Sequence, residues 1–193
     1  MRDIDIRQAL LQEMARIHEG QADTLIIEEL GLCQGIARVD IAVVNGSLHG
    51  YEIKSERDTL IRLPAQCDVY SRSLEFVTIV VSIAHLSKVR DLVPKWWGIW
   101  CAVEKSGIVS LRVLRKGKRN PKLVSLAVAQ LLWRDEALEA LTQRNLDKGL
   151  RSKSREIIWL RLASVLPPSE LGDIVRDCLK NRGENWRSRA LLT

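Results

Sequence analysis

The chain has 193 residues, of which 46% are hydrophobic and 28% are charged, and its formal net charge is +6. Enough apolar side chains are present to form a core, which excludes a wholly disordered protein. No apolar run approaches the roughly 18 residues of a membrane span, and the N-terminal segment lacks the apolar region of a signal peptide. We therefore expect a cytoplasmic protein with no membrane partner. Its excess of basic over acidic residues permits an anionic partner.

The four cysteines and three histidines are scattered along the chain. No two cysteines form a CxxC pair, and no histidine follows a cysteine at the offset of a zinc finger. A disulfide framework and a structural zinc site are therefore not expected, and the thiols should be free.

The first part of the chain alternates helical and strand patterns. In chain order we predict a helix over 6–18, a strand over 25–30, a β-hairpin of 37–44 and 48–54, a helix over 65–73, a strand over 76–82, a helix over 85–92, and strands over 98–103 and 108–114. The apolar stripe of Ile6, Leu10, Met14 and Ile17 indicates the first helix. This order predicts an α/β fold with a mixed central sheet flanked by helices.

Local signals support three of these elements. Asn45-Gly46 is a turn signal between the two alternating runs of the hairpin. Asp58 is expected to cap the second helix, and Pro64 suits its first turn. The run 76–82 is β-branched without polar alternation, which is typical of a strand buried on both faces.

The composition changes after Leu114. A basic connector with Gly and Pro spans 115–121, and only helical periodicity follows. We predict helices over 123–132, 135–144, 154–166 and 169–181. The domains are therefore a core over 1–120 and an all-helical appendage over 121–193, with roughly the last ten residues as a frayed tail.

Charged residues in the hairpin suggest a site. Asp40 lies in an otherwise apolar strand, where a carboxylate costs free energy unless a partner or a metal compensates it. Glu52 and Lys54 are two residues apart in the next strand, so they share a face. If Asp40 points to that face, two carboxylates converge beside one ammonium group. Such a site suits Mg²⁺ or Mn²⁺, and the lysine could activate a water for phosphodiester hydrolysis.

The register of the hairpin tests this hypothesis. A two-residue loop at Asn45-Gly46 would place Asp40 opposite Tyr51 and turn Glu52 to the other face, because one residue of slip reverses every side chain. The site therefore requires a three-residue loop over 45–47, or a bulge, for which Gly50 is the natural position.

At this point the sequence resembles a known family. Asp40 followed by Glu52-Ile53-Lys54 resembles the D...ExK core of the PD-(D/E)xK nuclease superfamily, with Val39 where a proline is usual. Gln66 and Tyr70 are similar to the Gln-x-x-x-Tyr pair of its RecB-like branch. The surrounding sequence looks like a small, uncharacterised bacterial and phage-associated group. The resemblance covers roughly residues 5 to 115.

The resemblance implies a restriction-endonuclease-like core over 1–120 and a metal-dependent DNA nuclease. Asp40, Glu52 and the Ile53 carbonyl would bind Mg²⁺ or Mn²⁺. Glu29 would support a second ion or a water, and Lys54 would activate the attacking water. The remaining two members of the implied site, Gln66 and Tyr70, would orient a carboxylate or a phosphate.

Basic residues are the candidate contacts to DNA. Arg57 and Arg62 would lie near the site, and further cations concentrate in the connector and the appendage: Arg115, Lys116, Lys118, Arg119, Lys148, Arg151 and Lys153. Such side chains can neutralise phosphates. The stretch 137–166 is similar to the helix-extension-helix of SAP-type DNA-binding modules. A homodimer is left open.

Several alternatives stay open on the residues alone. Asp40 could form only a structural salt bridge with Lys54, and Glu28 competes with Glu29 for the upstream role. The cluster of Trp96, Trp97 and Trp100 favours packing over base stacking. The protein could be a catalytically silent module that binds DNA or docks a partner protein, or it could act on RNA or another phosphodiester.

Overall fold

The structure is a computed structural model that describes residues 1–182. The chain divides into two compact units, Met1–Lys122 and Leu123–Thr193. The frayed tail expected at the C-terminus lies outside the described residues.

The first unit is built on one six-stranded sheet. Its elements are α1 (Asp3–Ile17), β1 (Leu25–Leu32), β2 (Ala37–Val44), β3 (Leu48–Lys54), α2 (Leu63–Ser73), β4 (Phe76–Ser82), α3 (Leu86–Leu92), β5 (Gly98–Lys105) and β6 (Ile108–Arg115). The strands lie side by side in chain order from β1 to β6. β4 pairs in parallel with β3 and β5, and the other pairs are antiparallel. The predicted α/β fold with a mixed sheet is confirmed.

Strand β4 lies in the interior of this sheet. Every residue from Val77 to Ser82 is buried, as its unbroken β-branched run predicts. The tryptophans that precede and open β5 also pack in the interior: Trp97 is fully buried, and Trp96 and Trp100 are 8% and 9% exposed. Packing, rather than base stacking, is therefore their role.

Helix α1 packs its apolar stripe against the sheet. Ile6, Leu10 and Met14 are fully buried in a cluster that includes Ile41 of β2 and Ile53 of β3. Burying each such side chain contributes about 1.5–3 kcal/mol relative to leaving it exposed. The fourth residue of the stripe, Ile17, ends the helix and is 41% exposed.

The hairpin has the three-residue loop that the site requires. Val44 pairs with Leu48, and the register runs to the pair of Ile41 with Tyr51. Extended by one position beyond that last pair, the register places Asp40 opposite Glu52, on one face of the sheet. The loop is stabilised by the Ser47 backbone N–H, which donates to Asn45 Oδ1 at 3.2 Å.

Gly50 does not form a bulge. It pairs with Ala42 in the regular ladder, and a Cβ atom on it would lie 2.5 Å from Leu74 Cδ1 and 3.0 Å from Val39 Cγ2. The glycine is therefore needed for close packing under β3.

The start of α2 differs from the prediction. Pro64 lies in the first turn, as expected. The N-cap residue is Arg62, so the prediction that Asp58 caps the helix is wrong. Asp58 Oδ2 instead accepts hydrogen bonds from the backbone N–H and the hydroxyl of Ser55, at 2.8 and 2.6 Å. Asp58 thus closes the turn that follows β3, because its short carboxylate reaches a donor three residues back.

The second unit is helical. It comprises α4 (Ser125–Ala129), α5 (Arg134–Thr142), α6 (Arg155–Val165) and α7 (Pro168–Asn181), and no strand occurs between 123 and 182. The buried Trp159 of α6 donates its ring N–H to the Leu132 carbonyl at 3.1 Å. None of the helices described in either unit is long and apolar enough to cross a membrane.

Candidate active site on the hairpin

Glu52 and Lys54 form a buried ion pair on β3. The two residues are 2% and 5% exposed, and Lys54 Nζ donates to Glu52 Oε1 at 2.5 Å. Their spacing in an extended strand places both side chains on one face. Removing two charges from water is costly, so a buried pair of this kind requires close geometry and further hydrogen bonds.

Helix α2 supplies those further hydrogen bonds. Gln66 Nε2 donates to Glu52 Oε1 at 2.5 Å, and the Tyr70 hydroxyl lies 2.5 Å from Glu52 Oε2. The two α2 residues are one helical turn apart, so they share the face that looks onto β3. Tyr70 also stacks on Trp97, at 5.9 Å between ring centroids. The structure thus brings together four of the predicted site residues, Glu52, Lys54, Gln66 and Tyr70.

In this cluster, one acceptor has no donor and one donor faces two acceptors. The buried Oε1 of Gln66 accepts no hydrogen bond from any residue within 1–182. The Tyr70 hydroxyl lies 2.7 Å from the Arg38 carbonyl as well as next to Glu52, yet it carries a single hydrogen and can donate to only one of them. Burial, and then the charge of Glu52, raise the pKa of Tyr70 above its usual value, so the hydroxyl keeps that hydrogen. Glu52 Oε2 can therefore be released to another ligand while Tyr70 donates to Arg38.

Asp40 lies beside this cluster on β2, the strand that pairs with β3. Its Oδ2 accepts a hydrogen bond from the Ile53 backbone N–H at 2.7 Å. Burial raises the pKa of Asp40 to about 7, and the charge of Glu52 acts in the same direction, whereas the Ile53 N–H and Arg7 oppose the rise. A carboxyl group with this pKa is stabilised in its charged form by an added cation. The Ile53 carbonyl, as a metal ligand, stays a prediction.

The sequence interpretation missed Arg7 of α1. Its Nη2 lies 2.9 Å from Asp40 Oδ1 and 3.0 Å from Glu29 Oε1, and its Nη1 donates to the Asp40 carbonyl at 3.1 Å. The side chain is only 13% exposed. Arg7 follows Ile6, so the sequence places it at the edge of the apolar stripe, but the sequence does not indicate which carboxylates it contacts. The sequence separation of 33 between Arg7 and Asp40 hid the contact.

Glu29 is connected to the site through its ion pairs with Arg7 and Arg38. It lies on β1 with a φ of 60°, its side chain is 45% exposed, and it contacts Arg7 and Arg38. Glu28 also approaches Arg7, at 3.7 Å against 3.0 Å for Glu29. Both glutamates therefore lie around Arg7, and Glu29 is the closer.

The donor set suits a hard divalent cation. Within residues 1–182, no three side chains among His, Cys, Asp and Glu are grouped so as to hold a metal. The oxygens that could serve are Asp40 Oδ1, Glu52 Oε2 and the unpaired Gln66 Oε1. Carboxylate and amide oxygens are the ligands that Mg²⁺ and Mn²⁺ prefer. The unpaired amide oxygen of Gln66 and the carboxylate oxygen of Glu52 are ligands of this type.

The predicted DNA contacts of the first unit differ in availability. Arg57 and Arg62 are exposed at the two ends of the connection between β3 and α2. Lys116 and Lys118 are also exposed. The Arg115 guanidinium is occupied, because it donates to the carbonyls of Trp97 and Pro94. Arg119 is 66% exposed, and its guanidinium also pairs with Glu75. Arg115 therefore has a structural role that the sequence did not indicate.

The second unit presents its basic residues on the connection between α5 and α6. Lys148, Arg151 and Lys153 are exposed. Arg134 donates to the carbonyls of Arg151 and Lys153, at 2.5 and 3.2 Å. Asp147 accepts from Arg151 at 3.1 Å. Arg134 thus fixes the backbone of the connection, and the side chains of Lys148, Arg151 and Lys153 are exposed to solvent.

Comparisons with known proteins identify a family. The chain matches the family described as Bacteriophage P4 protein cII over residues 1–192. "Protein cII" of Enterobacteria phage P4 is 28% identical over 185 residues, which are 94% of this chain and 68% of that protein. No solved structure matches the chain.

These findings overturn the family suggested by the sequence motifs. The resemblance to the PD-(D/E)xK superfamily, to its RecB-like branch and to a phage-associated group within it is wrong, because the matched family is another one and no nuclease family is found. Asp, Glu and Lys are common residues, so their spacing on a hairpin is a weak family signal. The chain belongs to the family of bacteriophage P4 protein cII.

Proposed function

We propose that the protein is a cytoplasmic, Mg²⁺- or Mn²⁺-dependent enzyme that hydrolyses phosphodiester bonds in DNA. One observation carries the proposal: Asp40 and Glu52 face the same side of the hairpin, with Lys54 Nζ 2.5 Å from Glu52 Oε1. Two carboxylates and an ammonium group at one point form a set of groups that metal-assisted hydrolysis of a phosphodiester can use.

Each side chain has a distinct part in this reaction. Asp40 Oδ1 and Glu52 Oε2 would hold the metal, with the Gln66 amide oxygen and the Ile53 carbonyl as further ligands and Glu29 supporting a second ion or a water. When bound, the metal lowers the pKa of a coordinated water and polarises the phosphate.

Lys54 and Tyr70 act around these ligands. Lys54 holds the attacking water and opposes the charge that develops on the phosphate oxygens. Tyr70, whose hydroxyl lies near both Glu52 and the Arg38 carbonyl, would donate to the Arg38 carbonyl when Glu52 holds the metal.

Exposed cations support DNA as the substrate. Arg57 and Arg62 flank the segment that joins the Glu52 strand to the Gln66 helix. Residues 121–193 carry 13 basic and 9 acidic side chains, and the connection between α5 and α6 exposes Lys148, Arg151 and Lys153. These cations would neutralise backbone phosphates without reading sequence, as the resemblance of this region to SAP-type modules also suggests.

A second function is favoured by a different observation. Glu52 already receives hydrogen bonds from Lys54, Gln66 and Tyr70, and Asp40 is paired with Arg7. A site whose carboxylates are neutralised by the protein's own cations can be purely structural. The protein would then be a silent module that binds DNA or docks a partner protein.

A cleavage panel separates the two functions. The full chain is incubated with Mg²⁺ or Mn²⁺ and with single-stranded, duplex, flapped and circular DNA, and with RNA of matched sequence. We expect cleavage of DNA that EDTA abolishes, and a loss of roughly 100-fold or more in Asp40→Asn and Lys54→Met. Asp68→Asn and Lys88→Met, at exposed positions, are the matched controls. DNA binding without cleavage by any metal would favour the silent module, and full activity in both site variants would remove the assignment.

A further inference from the structure

Arg7 is surrounded by more negative charge than it can neutralise. Four carboxylates lie within 4 Å of its guanidinium: Asp3 at 3.3 Å, Glu28 at 3.7 Å, Glu29 at 3.0 Å and Asp40 at 2.9 Å. The side chain comes from α1, whereas Glu28 and Glu29 belong to β1 and Asp40 to β2. Arg38 also approaches Glu29, at 3.7 Å, so two guanidinium groups face four carboxyl groups, and the position stays negative and attracts a further cation.

Arg7 contacts the oxygen of Asp40 that the backbone of β3 leaves open. Asp40 Oδ2 is held by the Ile53 N–H at 2.7 Å, and Oδ1 is the atom that faces Arg7 Nη2. A divalent cation on Oδ1 would stand within contact distance of the guanidinium. Like charges at that separation repel strongly in a partly buried site. The two cations therefore exclude each other at this atom.

We propose that Arg7 competes with the divalent cation for Asp40, so that the guanidinium must leave Oδ1 before metal binds there. This inference rests on the proposed function, since it concerns the same metal site. The guanidinium has other partners to move to, because Asp3, Glu28 and Glu29 stay within reach of it. Arg7 is thus a positioning residue that sets the affinity of the site for metal and holds the carboxylates together when metal is scarce.

The rival role for Arg7 is to fasten α1 to the sheet. In that case its removal loosens the carboxylates, and metal affinity falls or does not change. The two roles predict opposite changes in one measured quantity, the dissociation constant for Mn²⁺.

Calorimetric titration with Mn²⁺ decides between them. The full chain is compared with Arg7→Gln and with Arg16→Gln, a control on the same helix whose side chain is 70% exposed and pairs only with Glu13 among the described residues. We expect Arg7→Gln to bind Mn²⁺ roughly tenfold more tightly than the unaltered protein, within the usual range of coupling between two ligands. Arg16→Gln should bind as the unaltered protein does, and Asp40→Asn should lose binding in either background.

The outcomes separate this inference from the proposed function. Equal or weaker binding in Arg7→Gln, with binding intact in the unaltered protein, overturns the competition and leaves the metal site standing. Absence of binding in both overturns the metal site and the competition together. Binding by Arg7→Gln alone supports both, because it shows a site that the guanidinium had masked.

A measurement on the unaltered protein covers the case in which Arg7→Gln does not fold. The guanidinium Nη–H signals of Arg7, whose Nη1 and Nη2 are the atoms that contact Asp40, are followed by nuclear magnetic resonance during a titration with Mg²⁺, which is diamagnetic. We expect these signals to shift and their hydrogens to exchange faster with water, while the Arg16 signals stay constant. An Arg7 signal that does not change while Mg²⁺ binds would overturn the competition.

Discussion

Asp40 Oδ2 accepts a hydrogen bond from the backbone N–H of Ile53 at 2.7 Å, just past the last ladder pair of Ile41 with Tyr51. A side chain therefore bonds to β3 where the backbone ladder of β2 stops. This bond fixes the orientation of the carboxylate and leaves Oδ1 facing Arg7. Because Asp40 belongs both to the sheet and to the site, asparagine, which keeps an acceptor for Ile53, is the substitution that tests its chemistry.

The ion pair of Glu52 and Lys54 should show strong coupling in stability. Lys54→Met leaves a buried carboxylate without its ammonium partner and should lower the free energy of unfolding by about 3–5 kcal/mol. Adding Glu52→Gln removes that charge, so the double variant should be more stable than the sum of the two single changes predicts, by about 1 kcal/mol or more. Urea denaturation of the three variants measures the coupling. Strict additivity would mean that the two side chains do not stabilise each other.

Tyr70→Phe removes the hydroxyl that serves both Glu52 and the Arg38 carbonyl. The loss leaves one of these buried acceptors without a donor and should lower stability by about 1–3 kcal/mol. Tyr51→Phe is the matched control, because the Tyr51 hydroxyl makes one long contact, 3.3 Å, to His49. The control should change stability by less than Tyr70→Phe in the same urea titration. A larger loss in the control would show that Tyr70 is not important for holding the cluster.

His49 should make the protein less stable in mild acid. Burial lowers the pKa of His49 from 6.5 to about 4, so the unfolded chain takes up a proton at a higher pH than the folded one. Its contribution is fully present above pH 6.5 and is lost as the pH falls toward about 4. Thermal melts of the unaltered protein and of His49→Gln over this range should diverge, with a difference in stability of up to about 3 kcal/mol. Parallel pH profiles would contradict the neutral state of the partly buried His49.

Gly50→Ala should be destabilising for a packing reason. The new methyl group would meet Leu74 Cδ1 at 2.5 Å and Val39 Cγ2 at 3.0 Å, and overpacking of this kind costs about 1–3 kcal/mol. Gly31→Ala, in β1, is the control, because a Cβ atom there has no neighbour within 4 Å. Chemical denaturation should show a clear loss for the first change and little effect for the second. Equal stability of the two variants would show that Leu74 and Val39 yield without cost.

The hairpin shows how far the site could be predicted. The alternation of 37–44 and 48–54 gave both strands with their observed bounds, and the need for Asp40 and Glu52 to share a face restricted the connection to a three-residue loop or a bulge. The choice of the loop depended on Asn45, whose side-chain oxygen holds the Ser47 N–H. Helical spacing likewise placed Gln66 and Tyr70 on one face of α2, but the contacts with Glu52 arise from the packing of α2 under β3.

The sequence by itself determined the elements, because hydrophobic periodicity and β-branched runs act over a few residues. It also determined which charges share a strand, since Glu52 and Lys54 are separated by a single residue. Only the tertiary structure decided which distant charges meet. Arg7 reaches Asp40, Glu28 and Glu29 because α1 lies across the sheet at one angle and one depth, and that placement depends on the combined packing of Ile6, Leu10 and Met14. No local pattern encodes such a contact, so the guanidinium at the centre of the carboxylates could be seen only in the folded chain.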